Sequence, residues 1–324
     1  MGKNIYSSNS ITVLHLEVTN KCQASCPMCA RNLQGGLDNP FMSLSEISLE
    51  DFKSWFSVDF IKQLDKLYMC GNLGDPIIAK DTLEIFSYCR EINPDMWLSM
   101  NTNGGARNKE FWKRLAELRV TVRFGIDGLE DTHSLYRKGT DFIKVIDNAV
   151  TFINSGGDAI WDMLVFEHNK HQVEICHALS IEYGFSHFVS KNTARFKEDK
   201  LDVIDRTGKK IYTLYPSEKS KQLTQTELKP SEIKCKVKFG SLYVTSNGVV
   251  TPCCWLGIDE LPHHNPSRID YLTRIGKFYS LKENTLQEIF DSKVFDRIEE
   301  TWSSDPLKEC SKQCGSYDRF NSQF

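Results

Sequence analysis

The stretch LEVTNKCQASCPMCARN, residues 16–32, places three cysteines within eight residues. Cys22 and Cys26 are separated by three residues, and Cys26 and Cys29 by two. Structural zinc sites and ordinary four-cysteine clusters use four protein ligands. The triplet therefore indicates a site with one coordination position left open. The alternatives are a zinc site with a distant fourth ligand, or three thiols without a metal.

The composition is that of an ordinary globular protein. Of 324 residues, 40% are hydrophobic and 26% charged, and the net charge is −3. This balance gives no electrostatic footprint for nucleic acid or an anionic membrane. No signal peptide or membrane-spanning run is recognisable, so we predict a cytoplasmic location. Because thiols stay reduced there, the eleven cysteines predict metal or cluster ligation rather than disulfides.

Short apolar runs alternate with amphipathic segments up to about residue 190. The predicted strands are 12–18, 66–70, 97–100, 121–126, 160–166 and 187–190. The predicted helices are 80–92, 108–118, 141–156 and 169–184. This alternation predicts an α/β fold with a parallel sheet, either doubly wound or curled into a partial (β/α)6 TIM-like barrel.

Two details favour the barrel. Polar motifs follow most strands, as expected where a barrel collects its site at the carboxyl ends. The first strand also alternates, placing His15, Glu17 and Thr19 on one face, whereas a doubly wound sheet would more often bury apolar residues on both faces.

The composition changes after residue 195. Residues 196–234 are polar and charge-rich, which predicts a surface linker with one short hairpin around 205–211. The following segment predicts a hairpin at 240–255, with SNG as its turn, and one helix at 285–302. The predicted domains are therefore residues 1–195, a linker at 196–234 and a small cysteine-bearing domain at 235–324.

The cysteine triplet resembles the CxxxCxxC motif of the radical S-adenosylmethionine (SAM) enzymes. It directly follows the first predicted strand, as in that family. The resemblance implies that Cys22, Cys26 and Cys29 hold a [4Fe–4S] cluster whose open iron binds SAM. In the family, reductive SAM cleavage gives a 5′-deoxyadenosyl radical that abstracts a substrate hydrogen, with the protein supplying orientation.

The resemblance extends to the segment CGNLGDP at 70–76, which is similar to the family's GGE motif. It implies that Gly71, Asn72, Gly74 and Asp75 bind SAM near its amino group. The turn is one residue longer than GGE and carries a shorter carboxylate. Met28 stands where the family usually has an aromatic residue, and its contact with adenine is expected through the backbone.

Three further segments resemble SAM-binding parts of the family. NTNG at 101–104 places Asn103 at the polar groups of SAM, and FGIDG at 124–128 directs Asp127 to the ribose. DTHSLYRKG at 131–139 carries Arg137, which the resemblance assigns to the SAM carboxylate. A guanidinium fork suits that carboxylate better than an ammonium group does.

A second cysteine set resembles the SPASM/twitch extension of radical SAM enzymes. The resemblance implies one auxiliary [4Fe–4S] cluster, the second of two, held by Cys235, Cys253, Cys310 and Cys314. Cys254 is the alternative to Cys253, since neighbouring strand residues point in opposite directions. A four-thiolate zinc site has the same ligand count.

The resulting prediction is a radical SAM enzyme that oxidises, epimerises or forms a bond in a small, sugar-like molecule. About a dozen residues precede the first strand, so the N-terminal peptide-recognition domain of many relatives is not expected. A peptide maturase is the alternative, and a non-enzymatic iron–sulfur carrier or sensor is the rival of another class. The expected partners are the substrate and a flavodoxin- or ferredoxin-type electron donor, without nucleic acid or membrane.

Several other residues carry reactive or ionisable side chains, but the sequence shows no motif that pairs them with another residue. Cys70, Cys89 and Cys176 are expected to pack as small apolar residues. The histidines in loops, His168, His171, His263 and His264, are expected to face solvent. His15, Glu17, Asp162 and Lys191 are candidates for groups inside the barrel.

Overall fold

The computed structural model describes residues 6–193, 195–196, 198–218, 233–257 and 266–314. Its strands are β1 Val13–Leu16, β2 Asn32–Leu33, β3 Leu37–Asp38, β4 Lys66–Met69, β5 Trp97–Thr102, β6 Val120–Gly125, β7 Ala159–Val165, β8 His187–Asn192, β9 Leu201–Ile204, β10 Lys210–Leu214, β11 Ser241–Val244, β12 Val249–Thr251 and β13 Tyr279–Ser280. Its α-helices are α1 Leu49–Trp55, α2 Val58–Lys62, α3 Thr82–Ile92, α4 Lys109–Glu117, α5 His133–Tyr136, α6 Phe142–Asn154, α7 Val173–Glu182, α8 Pro266–Ile275, α9 Leu286–Asp291, α10 Val294–Glu300 and α11 Lys308–Gln313.

Nine strands form one sheet in the order β13-β12-β11-β1-β4-β5-β6-β7-β8. From β1 to β8 all neighbours are parallel, and helices connect them along the chain. The six predicted strands and four predicted helices are present, with ends shifted by a few residues. This arrangement confirms the predicted α/β fold with a partial (β/α)6 barrel.

Apolar residues on the outer face of the sheet form the main core with the helices. Leu14, Leu67 and Val122 on this face are completely buried. Cys89 and Cys176 lie on the facing helices and are also completely buried, as expected for small apolar residues. None of the helices in the described segments combines the length and apolarity needed to cross a membrane.

The C-terminal hairpin continues the barrel sheet. β11 pairs in parallel with β1, in a register that places Ser241 opposite Val13, and β12 returns antiparallel to β11. The SNG turn closes as predicted, with the Gly248 N–H donating to the Thr245 carbonyl (2.8 Å) and Gly248 in the left-handed conformation (φ 81°). β1 is therefore an interior strand, although it is the first of the barrel.

The prediction of one helix at 285–302 is wrong. Two helices, α9 and α10, are separated at Ser292 and Lys293, and Lys293 adopts a left-handed backbone conformation (φ 55°). The Ser292 N–H closes α9 on the Glu288 carbonyl, and Arg297 donates to the Ser292 carbonyl (3.1 Å). These bonds satisfy backbone groups that a continuous helix would have paired internally.

The described part of the linker forms the predicted hairpin and packs onto the barrel. β9 and β10 are joined by a turn in which the Asp205 carboxylate accepts from backbone N–H groups. Val203 and Leu214 form a second apolar cluster with Tyr136 and Phe166. The segment is therefore more than a surface connection, because its apolar residues cover loops at the carboxyl ends of the strands.

Candidate active site

The cysteine triplet lies in one loop between β1 and β2. All three cysteines are free, and each residue as a whole is partly exposed. Asn32 holds the loop, because its side-chain amide donates to the Cys26 carbonyl (3.2 Å) and its backbone N–H to the Cys29 carbonyl (3.2 Å). The Cys29 N–H also donates to the Cys26 carbonyl (2.9 Å). The loop turns tightly enough that negative charge on Cys26 or on Cys29 raises the pKa of Cys22.

The donor set fits a four-iron cluster with one open iron. Across the described residues, no three His, Cys, Asp or Glu side chains converge at the spacing of a single metal ion. A cluster accepts a wider spacing of sulfurs, because each thiolate binds a different iron. Burial raises the pKa of Cys26 to about 11, and also raises that of Cys22, so cluster assembly must displace protons.

The turn after β4 packs directly against the residues that precede the triplet. A Cβ on Gly74 would lie 1.8 Å from the Thr19 carbonyl oxygen, and one on Gly71 would lie 2.2 Å from the Gly74 carbonyl oxygen. No side chain fits at either position. The buried Glu17 carboxylate accepts hydrogen bonds from the Leu73 N–H (2.7 Å) and the Gly74 N–H (3.2 Å). The turn is thereby fixed to β1.

Asp75 and Asn103 connect this turn to the cysteine loop. The buried Asp75 carboxylate accepts from the Thr102 hydroxyl (2.7 Å) and the Asn103 backbone N–H (2.7 Å). The Asn103 side chain donates to the Cys22 thiol (3.5 Å) and accepts from Gln23 (2.6 Å). Both oxygens of Asp75 are engaged within the chain, so its contact with the SAM amino group stays a prediction.

Asp127 and Arg137 form a buried ion pair. The Arg137 Nε–H donates to Asp127 Oδ2 (2.6 Å), and the Leu164 N–H donates to Oδ1 (2.6 Å). A Cβ on Gly125 would lie 2.4 Å from an Arg137 terminal nitrogen, so the guanidinium needs a glycine there. Burial lowers and Asp127 raises the pKa of Arg137, with a net rise that keeps the guanidinium charged. The pair also lies beside Cys26.

Two predicted cofactor residues contact other parts of the protein with their side chains. Met28 packs against the second apolar cluster, which leaves its backbone for the predicted adenine contact. The Asn72 amide donates to the Tyr243 hydroxyl (3.0 Å) and to the Cys254 carbonyl (2.8 Å). Asn72 thus joins the turn to the C-terminal segment, and its contact with SAM stays a prediction.

The four predicted auxiliary ligands are all buried and lie together. Negative charge on Cys314 raises the pKa of both Cys235 and Cys253, which shows that the three are close. The side chains of Cys310 and Cys314 are hydrogen-bonded to each other. Burial raises the pKa of Cys235 to about 12. Cys254 is partly exposed and faces Lys236 and Glu17, toward the barrel. Negative charge on Cys314 also raises the pKa of Cys254, so the assignment of Cys253, the more buried of the two, stays a prediction.

Polar side chains occupy the inner face of the barrel. The His15 Nε2–H donates to the Cys70 carbonyl (2.7 Å), and its ring stacks on Tyr68 (4.2 Å between centroids). Burial lowers the pKa of His15 to about 3, so this imidazole is neutral. Lys191 pairs with Asp162 (2.9 Å). We call the space inside this face the lumen; its lining includes Tyr68, Asn101, Arg123, Asp162 and Lys191.

The loop histidines differ in their environments. His171 is exposed, as predicted. Exposure of His168 was also predicted, and this is wrong, because both of its ring nitrogens are buried. Its ring stacks on an aromatic residue of the second apolar cluster, Phe166, which covers it. His263 and His264 lie outside the described residues.

The sequence did not indicate several residues that hold the site. Lys138 donates to the carbonyls of Gly35 (2.6 Å) and Ile204 (2.9 Å), tying the cysteine loop to the linker hairpin. Lys138 lies inside the DTHSLYRKG segment, so its place next to Arg137 in the sequence could have indicated a role at the site. The Tyr243 hydroxyl donates to the Glu17 carboxylate across 226 residues, and nothing local links the two positions.

Comparison with protein families defines the class of the protein. The family model of the radical SAM superfamily matches residues 16–179, just over half of the chain. The chain therefore belongs to the radical SAM superfamily, whose domain binds a [4Fe–4S] cluster and SAM. A second family model, an iron–sulfur cluster-binding domain of SPASM type, matches residues 235–315.

Individual relatives are more distant. The FeMo cofactor biosynthesis protein NifB of Methanocaldococcus jannaschii is 29% identical over 122 residues, 36% of this chain and 40% of that protein. The 7,8-dihydro-6-hydroxymethylpterin dimethyltransferase of the same organism is 27% identical over 149 residues, 43% of this chain and 28% of that protein. The chain spans less than half the length of these curated relatives.

Solved structures support the fold along nearly the whole chain. Streptococcus suis SuiB bound to S-adenosylmethionine has a TM-score of 0.58 and 14% identity, covering 94% of this chain and 68% of SuiB. The protein anSMEcpe, solved with AdoMet and the Kp18Cys peptide, has a TM-score of 0.58 and 16% identity, covering 97% of this chain and 95% of anSMEcpe. At these low sequence identities, both structural similarities show a shared fold and nothing further.

Proposed function

We propose that this enzyme removes a hydrogen atom from a small, sugar-like molecule and completes a net oxidation, an epimerisation or a bond formation. One observation carries the proposal. The Asn103 side chain contacts the Cys22 thiol, while Arg137 and Asp127 lie beside Cys26. The triplet and the predicted SAM residues therefore form one site at the carboxyl ends of the strands. An iron–sulfur carrier would have no use for these additional groups.

The chain's own residues would bind and orient SAM. When bound, the cluster and SAM supply the reducing electron and the hydrogen-abstracting radical of this superfamily. Arg137 would hold the SAM carboxylate. Asp127 accepts a hydrogen bond from the Arg137 Nε–H and thereby fixes the direction of the guanidinium. Asn103, oriented by Asp75, would bind the polar groups of SAM, while Asp127 would lie toward the ribose.

The buried cysteines Cys235, Cys253, Cys310 and Cys314 would hold one auxiliary [4Fe–4S] cluster. Four thiolates leave no iron open, so this site would accept or relay an electron rather than bind substrate. Net oxidations use such an acceptor directly. A flavodoxin- or ferredoxin-type protein would supply electrons to the first cluster, and the cytoplasm, where free thiols persist, would be the location.

A peptide substrate is the second candidate. SuiB has been solved with its precursor peptide SuiA, and anSMEcpe with the Kp18Cys peptide; these share the fold of this chain at 15% and 16% identity. A peptide maturase would need the lumen to admit an extended chain segment. The polar lining of the lumen favours the small molecule.

Reductive SAM cleavage tests the proposed function. After anaerobic reconstitution, the wild-type protein should carry about eight irons, the sum of two four-iron clusters. With dithionite and SAM it should release 5′-deoxyadenosine. The variant Cys22→Ala/Cys26→Ala/Cys29→Ala should release none and keep about four irons, because the auxiliary cysteines remain.

The iron content makes this test specific. Wild-type protein with zinc and little iron would contradict both cluster assignments. Equal 5′-deoxyadenosine release by wild type and triple variant would show that the triplet does not bind the catalytic cluster.

A further inference from the structure

Solvent reaches the part of the lumen nearer the carboxyl ends of the strands. Asn101, Arg123, Asp162 and Leu164 are partly exposed, although both sequence neighbours of each are buried. The strand register places Asn101 beside Arg123, and Asp162 beside Gly125 one step nearer the cysteine loop. Partial exposure at alternating positions on adjacent strands shows that these side chains border one space.

Arg123 has an unused hydrogen-bond donor in this space. Its Nη1 atom is buried and has no hydrogen-bond partner among the described residues. A buried donor left unpaired destabilises the protein, and more so when the group is charged. Such a group is expected where a ligand supplies the missing acceptor.

Further positive charge surrounds Arg123. Burial, together with the positive charges of Lys236 and Arg123, lowers the pKa of Lys66 to about 7. The Lys66 ammonium lies 3.7 Å from the centre of the Trp97 ring, at the amino end of β5. The positive charges of Lys66 and Lys236 also lower the pKa of the neutral His15. Lys66 and Lys236 therefore add positive charge near Arg123.

The acidic groups near Arg123 are engaged by other partners. Asp158 accepts from the Thr121 hydroxyl (2.9 Å) and the Ser186 hydroxyl (2.6 Å). Asp162 Oδ2 accepts from Lys191 (2.9 Å), and Asp162 Oδ1 is buried without a partner among the described residues. The Glu17 carboxylate is engaged by Tyr243 and by the turn after β4. An unpaired acceptor at Asp162 thus lies one register step nearer the SAM site than the unpaired donor of Arg123.

We propose that the lumen binds a substrate with an anionic group, a carboxylate or a phosphate, held by Arg123. A hydroxyl or amine of the same molecule donates to Asp162. The guanidinium offers two parallel N–H groups to either anion. This inference rests on the proposed function and narrows its substrate to an acid or phosphate that also carries a hydrogen-bond donor. With the anion at Arg123 and the donor at Asp162, the carbon next to that donor lies one register step nearer the SAM site than the anion.

Anion binding to the reconstituted holoenzyme tests the proposal without turnover. Isothermal titration with sodium phosphate and, separately, sodium acetate is done at constant ionic strength with saturating SAM, so that Arg137 is occupied. At least one anion should bind in a one-to-one ratio, and Arg123→Gln should weaken its binding about ten-fold or more, about 1.4 kcal/mol. Preference for one anion identifies the substrate as a phosphate or a carboxylate.

The control variants separate the lumen from other anion sites. Arg114→Gln removes the same charge from the exposed face of α4 and should bind as wild type does. Arg123→Lys keeps the charge but loses the two parallel N–H groups, so its affinity should lie between those of wild type and Arg123→Gln, an order that misfolding of the glutamine variant would not give. Absence of binding by both anions, or equal binding by wild type and Arg123→Gln, overturns the proposal. The 5′-deoxyadenosine assay on the same wild-type preparation reports separately on the proposed function.

Discussion

Asp75 acts on the site through its neighbours. Its carboxylate accepts the Thr102 hydroxyl, the Asn103 N–H and the Ile77 N–H (3.2 Å). Burial raises the pKa of Asp75, and these three hydrogen bonds oppose the rise. The side chain is therefore a fixed acceptor that sets the position of Asn103 beside the cysteine loop.

Replacing Asp75 by asparagine should weaken SAM binding about ten-fold and destabilise the protein by about 1–3 kcal/mol. One acceptor oxygen becomes an NH2 group, which faces the donors that the carboxylate satisfied. Equilibrium dialysis with SAM and thermal unfolding of the anaerobic holoenzyme measure the two effects. Asp95→Asn, an exposed change of the same chemistry, is the control. Wild-type SAM affinity in Asp75→Asn would contradict a positioning role.

Sequence motifs predicted which residues gather at the site but not how they are paired. Asn103, Asp127 and Arg137 lie at the cysteine loop because each follows, or lies shortly after, a strand of the same sheet edge. The bonds of Asn72 to Tyr243 and Cys254 were not predictable. They join residues more than 170 positions apart, whose proximity depends on the pairing of β11 with β1.

At the scale of elements, the turn after β4 is held from two sides. Gly74 packs against the backbone before the cysteine loop, while Glu17 binds the turn amides and is itself bound by the Tyr243 hydroxyl of β11. The C-terminal hairpin therefore supports the turn that carries Asp75. The strands of this assembly were predictable from apolar alternation, whereas the left-handed Lys293 between α9 and α10 was not. No glycine or proline marks that break, which depends on tertiary packing.

Tyr243→Phe should loosen this turn. Loss of the hydroxyl leaves the buried Glu17 carboxylate with one donor fewer, a cost of about 1–3 kcal/mol. Hydrogen exchange should become about ten-fold faster in the peptide that contains residues 71–75, because local opening becomes easier by a similar amount. Tyr88→Phe, on α3, is the matched control. Unchanged exchange in Tyr243→Phe would show that the hairpin does not support the turn.

At the scale of the whole molecule, the two cysteine sites are joined by one sheet but differ in burial. The triplet is partly exposed at the carboxyl ends of the strands, and the auxiliary cysteines are buried beside the C-terminal hairpin. The predicted domain boundaries at 195 and 235 remain a prediction. We expect the two sites to load iron independently, because they share no cysteine.

The variant Cys310→Ala/Cys314→Ala tests this independence. It leaves Cys235 and β11 in place, so the sheet should persist while about four irons are lost. Dithionite-dependent release of 5′-deoxyadenosine should remain, since the SAM site is complete. Because cluster loss removes folding energy, the variant is first checked for solubility. Loss of all iron from a soluble variant would show that the sites assemble together.

The pairing of β11 with β1 also fixes the order in which the protein can be completed during its synthesis. Val13 leaves the ribosome early, but its partner Ser241 is added more than two hundred residues later. At ribosomal rates of about 5–20 residues per second, this delay is roughly ten to forty-five seconds. Throughout that interval one edge of β1 has unpaired backbone groups, which can pair with the strand of another chain. High expression rates and scarce chaperones should therefore favour aggregation before any cluster is inserted.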